Sequence, residues 1–222
     1  VLFRILSLLP LFLFSSNLPK PYADLKEVLP FTEQNWFNNP YQLARWIKKY
    51  RPDIRTIVEI GSWTGHSTCF MASLLPEDGL VYAVDHWLGS IEHQPGGAIH
   101  PAFLPKLYEV FLSNVIHKNL AHKIIPVRMD SVTASKTPFF KNLNRSIDLI
   151  YIDGDHSEEG CYNDLQAWFP YVKGHGVLCG DDYTFESVQK AIYRFASKYD
   201  LKVIFDTNFW VLSEKRSSKK PR

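Results

Sequence analysis

The chain has 222 residues, 45% of them hydrophobic and 22% charged, with a formal net charge of +2. This length suits one α/β domain with helices on both faces of a sheet and is too short for a second full domain, while the composition excludes long disorder. The basic residues concentrate only in the tail Lys215, Arg216, Lys219, Lys220 and Arg222, a solvated run that gives no nucleic-acid footprint.

At the start, Arg4 precedes an apolar run, 5–14, and then Ser15 and Ser16, the pattern of a signal peptide or a short membrane anchor. The run is too short to span a bilayer comfortably. Residues 1–23 are therefore read as signal-like or anchor-like, or as a misplaced start, 24–55 as N-terminal helices, 56–214 as the main domain and 215–222 as a basic tail. Within the second segment, 32–50 reads as one or two helices around Pro40, with Leu43, Trp46 and Ile47 buried.

From residue 56 onward, apolar runs of strand length alternate with helical periodicity, the sign of a parallel sheet with crossover helices. Strands are expected at 56–60, 80–85, 123–129, 148–153, 176–180, 201–206 and 209–213. The stretch 87–101, with Gly89, Gly96 and Gly97, is a long loop, a candidate lid or homo-oligomer contact. A helix over 157–173 places Tyr162, Leu165, Phe169 and Val172 on one stripe and stops at Gly174. A second puts Val188, Ala191, Ile192, Phe195 and Tyr199 on a core-facing side. Only Thr207 and Asn208 separate the last two strands, so these must pair as an antiparallel hairpin at the sheet edge. Cys69, Cys161 and Cys179 are odd in number and lack CxxC spacing, which suggests neither a disulfide framework nor a zinc site.

The first strand runs into Glu59, Ile60, Gly61, Ser62, Trp63, Thr64 and Gly65 before a helix, a loop whose glycines allow a sharp turn and close approach of a nucleotide. A tight turn without a ligand is the plainer reading. Asp85 ends the second strand 24 residues beyond Gly61, where a carboxylate can accept both hydroxyls of a ribose. Asp130 and Ser131 follow the third strand and either meet an adenine or cap a helix. Trp87, directly after His86, packs either on the adenine or in the core. The GxxxG spacing, Glu59 at the strand end and the closing hairpin favour S-adenosylmethionine over a dinucleotide; a silent cofactor-binding module and a nicotinamide-dependent oxidoreductase are the rival readings.

With these residues in place the chain resembles the class I methyltransferases: VEIGSWTG is similar to their first motif, VYAVD to the second, IDLIYIDGDHSEEG to the fourth and GVLCGDDY to the fifth. The resemblance covers roughly residues 36–213 and is greatest to small bacterial O-methyltransferases of the macrocin, mycinamicin and cephalosporin-tailoring kind, with catechol O-methyltransferase more distant. It implies a Rossmann-like, seven-stranded, mostly parallel sheet, and S-adenosylmethionine held by Glu59, Gly61, Ser62, Gly65, Asp85, His86, Asp130, Ser131 and Asp153. It also implies a divalent ion on Asp153, Asp181 and Asp182.

Three carboxylates at one sheet edge would raise one another's pKa unless a cation compensated them, and oxygen-only ligands suit Mg²⁺ rather than zinc. Such an ion would lower the pKa of an acceptor hydroxyl on a small molecule, a sugar or a phenol. His156 is the candidate proton acceptor, or else a support for its loop; Asp155 orients it, completes the outer shell of the ion or starts a helix. Asp181 or Asp182 capping the next helix is the metal-free alternative. His93 and His100 fall in the long loop as substrate contacts or surface residues. A cofactor made in the cytosol favours a cytoplasmic protein, with export or membrane association through residues 1–23 as the alternative.

Overall fold

The computed structural model describes residues 18–90, 93–97, 99 and 101–214. The apolar run, the basic tail and His100 lie outside the described residues.

Strands β1 (Thr56–Ile60), β2 (Leu80–Asp85), β3 (Ile124–Arg128), β4 (Ile147–Ile152), β5 (Val172–Gly180), β6 (Leu201–Asp206) and β7 (Phe209–Glu214) make one sheet in the order β3-β2-β1-β4-β5-β7-β6. β1 to β5 pair in parallel, and β7 runs antiparallel to both its neighbours. All six residues of β4 are buried, as a strand covered on both faces requires.

Side chains alternate across the pleat, which divides the core in two. Ile57, Ala83, Tyr151 and Cys179 face α1 (Pro40–Ala44), α2 (His66–Leu74) and α3 (Leu107–His117). Val58, Val84, Ile150 and Leu178 face α4 (Ser131–Ser135), α5 (Pro138–Asn142), α6 (Glu158–Trp168) and α7 (Glu186–Lys198). The chain winds outward from β1 to β3 and then crosses to β4, so the carboxyl ends of β1 and β4 flank the switch point where α/β sheets open a crevice.

Several expectations needed correction. The helix expected over 157–173 ends at Trp168; Pro170, which lacks an amide donor, lies in a single 3₁₀ turn, and β5 begins at Val172. Its buried stripe is Cys161, Leu165 and Trp168, one residue round from the expected Tyr162, Leu165, Phe169 and Val172, because Trp168 packs on Phe140 and Tyr171. Ahead of Pro40 the chain is irregular, with Thr32 and Asn35 side chains accepting from the amides of Gln34 and Phe37. Leu43 and Ile47 are buried as expected, whereas Trp46 is partly so. Tyr199 falls at the end of α7 and is 37% exposed. Among the described residues no helix is long and apolar enough to cross a membrane.

Candidate active site

Gly61 continues β1 with φ 84°, and a Cβ there would lie 2.0 Å from the carbonyl oxygen of Asp153. Only bare backbone fits, so the turns after β1 and β4 are in contact; the Asp153 amide donates to the Ile60 carbonyl at 2.8 Å. Gly65, at φ 85°, leads into α2. Glu59 is fully buried and accepts from Ser67 Oγ at 2.5 Å and from Thr68 Oγ1. Burial pushes its carboxyl up to about 7 against the pull of these hydroxyls. Glu59 therefore braces α2 against β1 from inside.

Asp85 reaches back over the same turn. Its Oδ2 accepts from the amides of Ser62 at 3.0 Å and Trp63 at 2.9 Å, and its Oδ1 from the Trp87 amide at 2.6 Å. Burial raises its pKa although these amides oppose the rise. Three backbone donors occupy most of the roughly four acceptor positions of a carboxylate. His86 Nδ1 lies 3.7 Å from Asp85 and accepts from the Leu88 amide.

Trp87 is 2% exposed, packs on Tyr108 and Phe111 and donates from Nε1 to the Trp63 carbonyl, so it belongs to the core rather than to a ligand face. Asp130 caps α4 through the Thr133 amide at 2.8 Å, and Ser131 donates to Asp164. The capping reading of Asp130 thus holds, while its position at the rim of β3 is unchanged.

At the ends of β4 and β5 the acids converge. Ligand atoms of Asp153, His156 and Asp182 lie within 4.8 Å of one another. Burial, then the charges of Asp181, Asp182 and Glu59, drive Asp153 well above the ordinary carboxylate range. His156 Nε2 faces Asp182 Oδ2 at 2.8 Å. Burial works against the charged form of Asp182, but hydrogen bonds from His156 and Asn208 outweigh it, and its pKa falls. Asp182 has φ 61°, a conformation that costs a non-glycine residue about 1–2 kcal/mol and that here turns the chain at the acid pair.

Asp181 stands outside this group. Its Oδ1 accepts from Asn208 at 2.6 Å and from the Asp182 amide at 2.8 Å, and its Oδ2 from Tyr151 at 3.4 Å. Neither acid caps α7, whose N-cap is Phe185 without a side-chain bond. Asp155 accepts from the Ser157 amide and holds the turn into α6, where Ser157 is the cap.

Sequence reasoning missed the residues that hold these acids. Asn208 sits in the β6–β7 turn, and its side chain bridges Asp181, Asp182 and Thr184. Tyr151 points to Asn39 and Asp181 from within β4. Phe185 stacks on His156 with centroids 5.3 Å apart, and Ser187 donates to the His156 carbonyl. The available signal was a hydroxyl-bearing residue inside an apolar strand at Tyr151.

A family model described as a methyltransferase domain matches residues 58–183. An uncharacterised protein, R132, of Acanthamoeba polyphaga mimivirus is 23% identical over 159 residues, which are 69% of this chain and 65% of that relative's length. An O-methyltransferase from Bacillus cereus, solved with S-adenosylhomocysteine, superposes with a TM-score of 0.58 at 16% identity, over 86% of this chain and 84% of that one. A candidate O-methyltransferase from Klebsiella pneumoniae gives 0.57 at 16% identity, over 83% and 82%. The chain belongs to the methyltransferase domain family and has the fold of the class I S-adenosylmethionine-dependent methyltransferases.

Proposed function

We propose that this methyltransferase acts on a hydroxyl of a small molecule, a phenol or a sugar, with a divalent cation held beside the acceptor. The observation that carries this reading is the convergence of Asp153, His156 and Asp182 at the switch point, next to the Gly61 turn. The two neighbouring solved structures are described as O-methyltransferase and candidate O-methyltransferase, which supports it.

In this reading the Gly61–Gly65 turn and Asp85 cradle the adenosine and amino-acid parts of the methyl donor, with Asp130 and Ser131 toward the adenine. The acid cluster fits a hard cation: Asp153 and Asp182 offer carboxylate oxygens within 4.8 Å of one another, and the burial and neighbouring acids that raise the Asp153 pKa are effects that a divalent charge would offset. Asp153 and Asp182 would hold the ion, with Asp181 one step behind, fixing the Asp182 amide. When bound, the ion lowers the pKa of the acceptor hydroxyl and orients its oxygen.

His156 takes the hydroxyl proton, and the Asp182 carboxylate, 2.8 Å from its Nε2, stabilises the imidazolium that forms. The methyl group then passes to the oxygen with the sulfur as leaving group. Formation of S-adenosylhomocysteine is to be followed with a panel of phenolic and sugar acceptors, with and without a strong chelator, in wild type, Asp153→Asn and Asp182→Asn. The reading expects turnover that the chelator stops, and at least about 100-fold loss in both variants with S-adenosylhomocysteine binding retained. Full turnover in chelator or in both variants removes the cation from the mechanism.

A further inference from the structure

Asp164 lies on α6 with 5% exposure and has no part in the chemistry above. Its Oδ1 accepts a hydrogen bond from Ser131 Oγ at the start of α4. Its Oδ2 lies 3.3 Å from the place where a Cβ on Gly154 would stand. Ser131 belongs to the turn that follows β3, beside Asp130; Gly154 belongs to the turn that follows β4, between Asp153 and Asp155. A single carboxyl group is therefore hydrogen-bonded to the turn toward the adenine and lies over the turn carrying the acids, where a Cβ on Gly154 would crowd it.

Burial pushes this group up to about 7, against the Ser131 hydrogen bond, with Asp155 and Asp130 adding to the rise. A polar group so enclosed is costly unless its partners compensate, and an apolar pair would fill the same space at less cost. The enclosed polar contact does what an apolar pair does not: it fixes the direction of one turn by a hydrogen bond while its second oxygen packs over the other.

We propose that Asp164 is a positioning residue that sets the spacing between the β3 and β4 turns and thereby seats the adenosine of the methyl donor at a fixed distance from Asp153 and His156. The proposal rests on the functional reading above. Asp164 acts through Ser131 and Gly154 without touching the substrate. Acceptance of the Ser131 hydrogen bond is the property required, and an amide oxygen supplies it as well as a carboxyl.

The test is titration calorimetry with S-adenosylhomocysteine on wild type, Asp164→Ala, Asp164→Asn, Asp164→Leu and Ser131→Ala, with thermal melts alongside. Loss of one positioning hydrogen bond predicts about 3- to 10-fold weaker binding in Asp164→Ala and Ser131→Ala. Asp164→Asn should lie within about twofold of wild type, whereas in Asp164→Ala KM for S-adenosylmethionine should rise while kcat changes little. Should Asp164→Ala fail to fold, the contrast of Asp164→Asn with Asp164→Leu carries the test. Wild-type affinity in Ser131→Ala, or recovery of affinity in Asp164→Leu, would overturn the proposal, the latter by showing that Asp164 merely fills space. Failure of the wild type itself to bind S-adenosylhomocysteine would overturn the parent reading and this one with it.

Discussion

Replacement of Gly61 by alanine tests the contact on which the site is built. Gly61 and Gly96 share nearly the same backbone, φ 84° and 89°, so alanine at either bears the left-handed cost of about 1–2 kcal/mol. They differ in surroundings: among the described residues nothing lies within 4 Å of a Cβ at Gly96, whereas at Gly61 it meets the Asp153 carbonyl oxygen at 2.0 Å, its carbon at 2.6 Å and Gly154 Cα at 2.7 Å. These are backbone atoms that cannot rotate away, so the β1 and β4 turns must separate, at a further cost of about 1–3 kcal/mol. Gly61→Ala should therefore lose about 2–5 kcal/mol, a fall in Tm of about 4–20 °C for a domain of this size, together with binding of S-adenosylhomocysteine. Gly96→Ala should lose about 1–2 kcal/mol and keep binding. Thermal melts with and without S-adenosylhomocysteine separate the two, and equal melting points with equal ligand stabilisation would refute the reasoning.

Glu59 has an ordinary value of 4.5 and rises to about 7 in the folded chain, so the folded form keeps a proton that the unfolded form releases. The stability linked to that proton, about 3 kcal/mol, is complete below about pH 4.5 and is lost as the pH rises through 7; urea melts across this range should show the decline, and Glu59→Gln should make it shallower by that share. Asn208→Ala leaves Asp181 without its 2.6 Å donor and should cost about 1–3 kcal/mol in urea melts while weakening Mg²⁺ binding in calorimetry. Trp87→Ala, in a residue 2% exposed, should cost about 3–5 kcal/mol by the same melts. An unchanged stability with weakened ligand binding would return Trp87 to the cofactor face.

The sheet was legible because buried parallel strands are short apolar runs and because two residues between the last strands permit only a hairpin. The turns after β1, β4 and β5 were legible from glycine and acidic residues at strand ends. Helix limits were not: the stripe of α6 was set by Trp168 finding Phe140, a partner 28 positions away that periodicity does not see. The division of labour among the acids was equally hidden, since it depends on hydrogen bonds across the fold. Asn208 takes up Asp181, His156 takes up Asp182, and Trp63 and Trp87 amides take up Asp85. Adjacent Asp181 and Asp182 read alike in a sequence; the positive φ of Asp182 sends the two carboxylates to different partners.

A crystal structure of the protein grown with S-adenosylhomocysteine and Mg²⁺ tests the central claim most directly. The account predicts the ribose at Asp85, the ligand's sulfur beside the Gly61 turn, and a cation on the oxygens of Asp153 and Asp182 within reach of His156. A ligand bound away from Gly61, or an acid cluster that remains closed on itself with Mg²⁺ in excess, would contradict it.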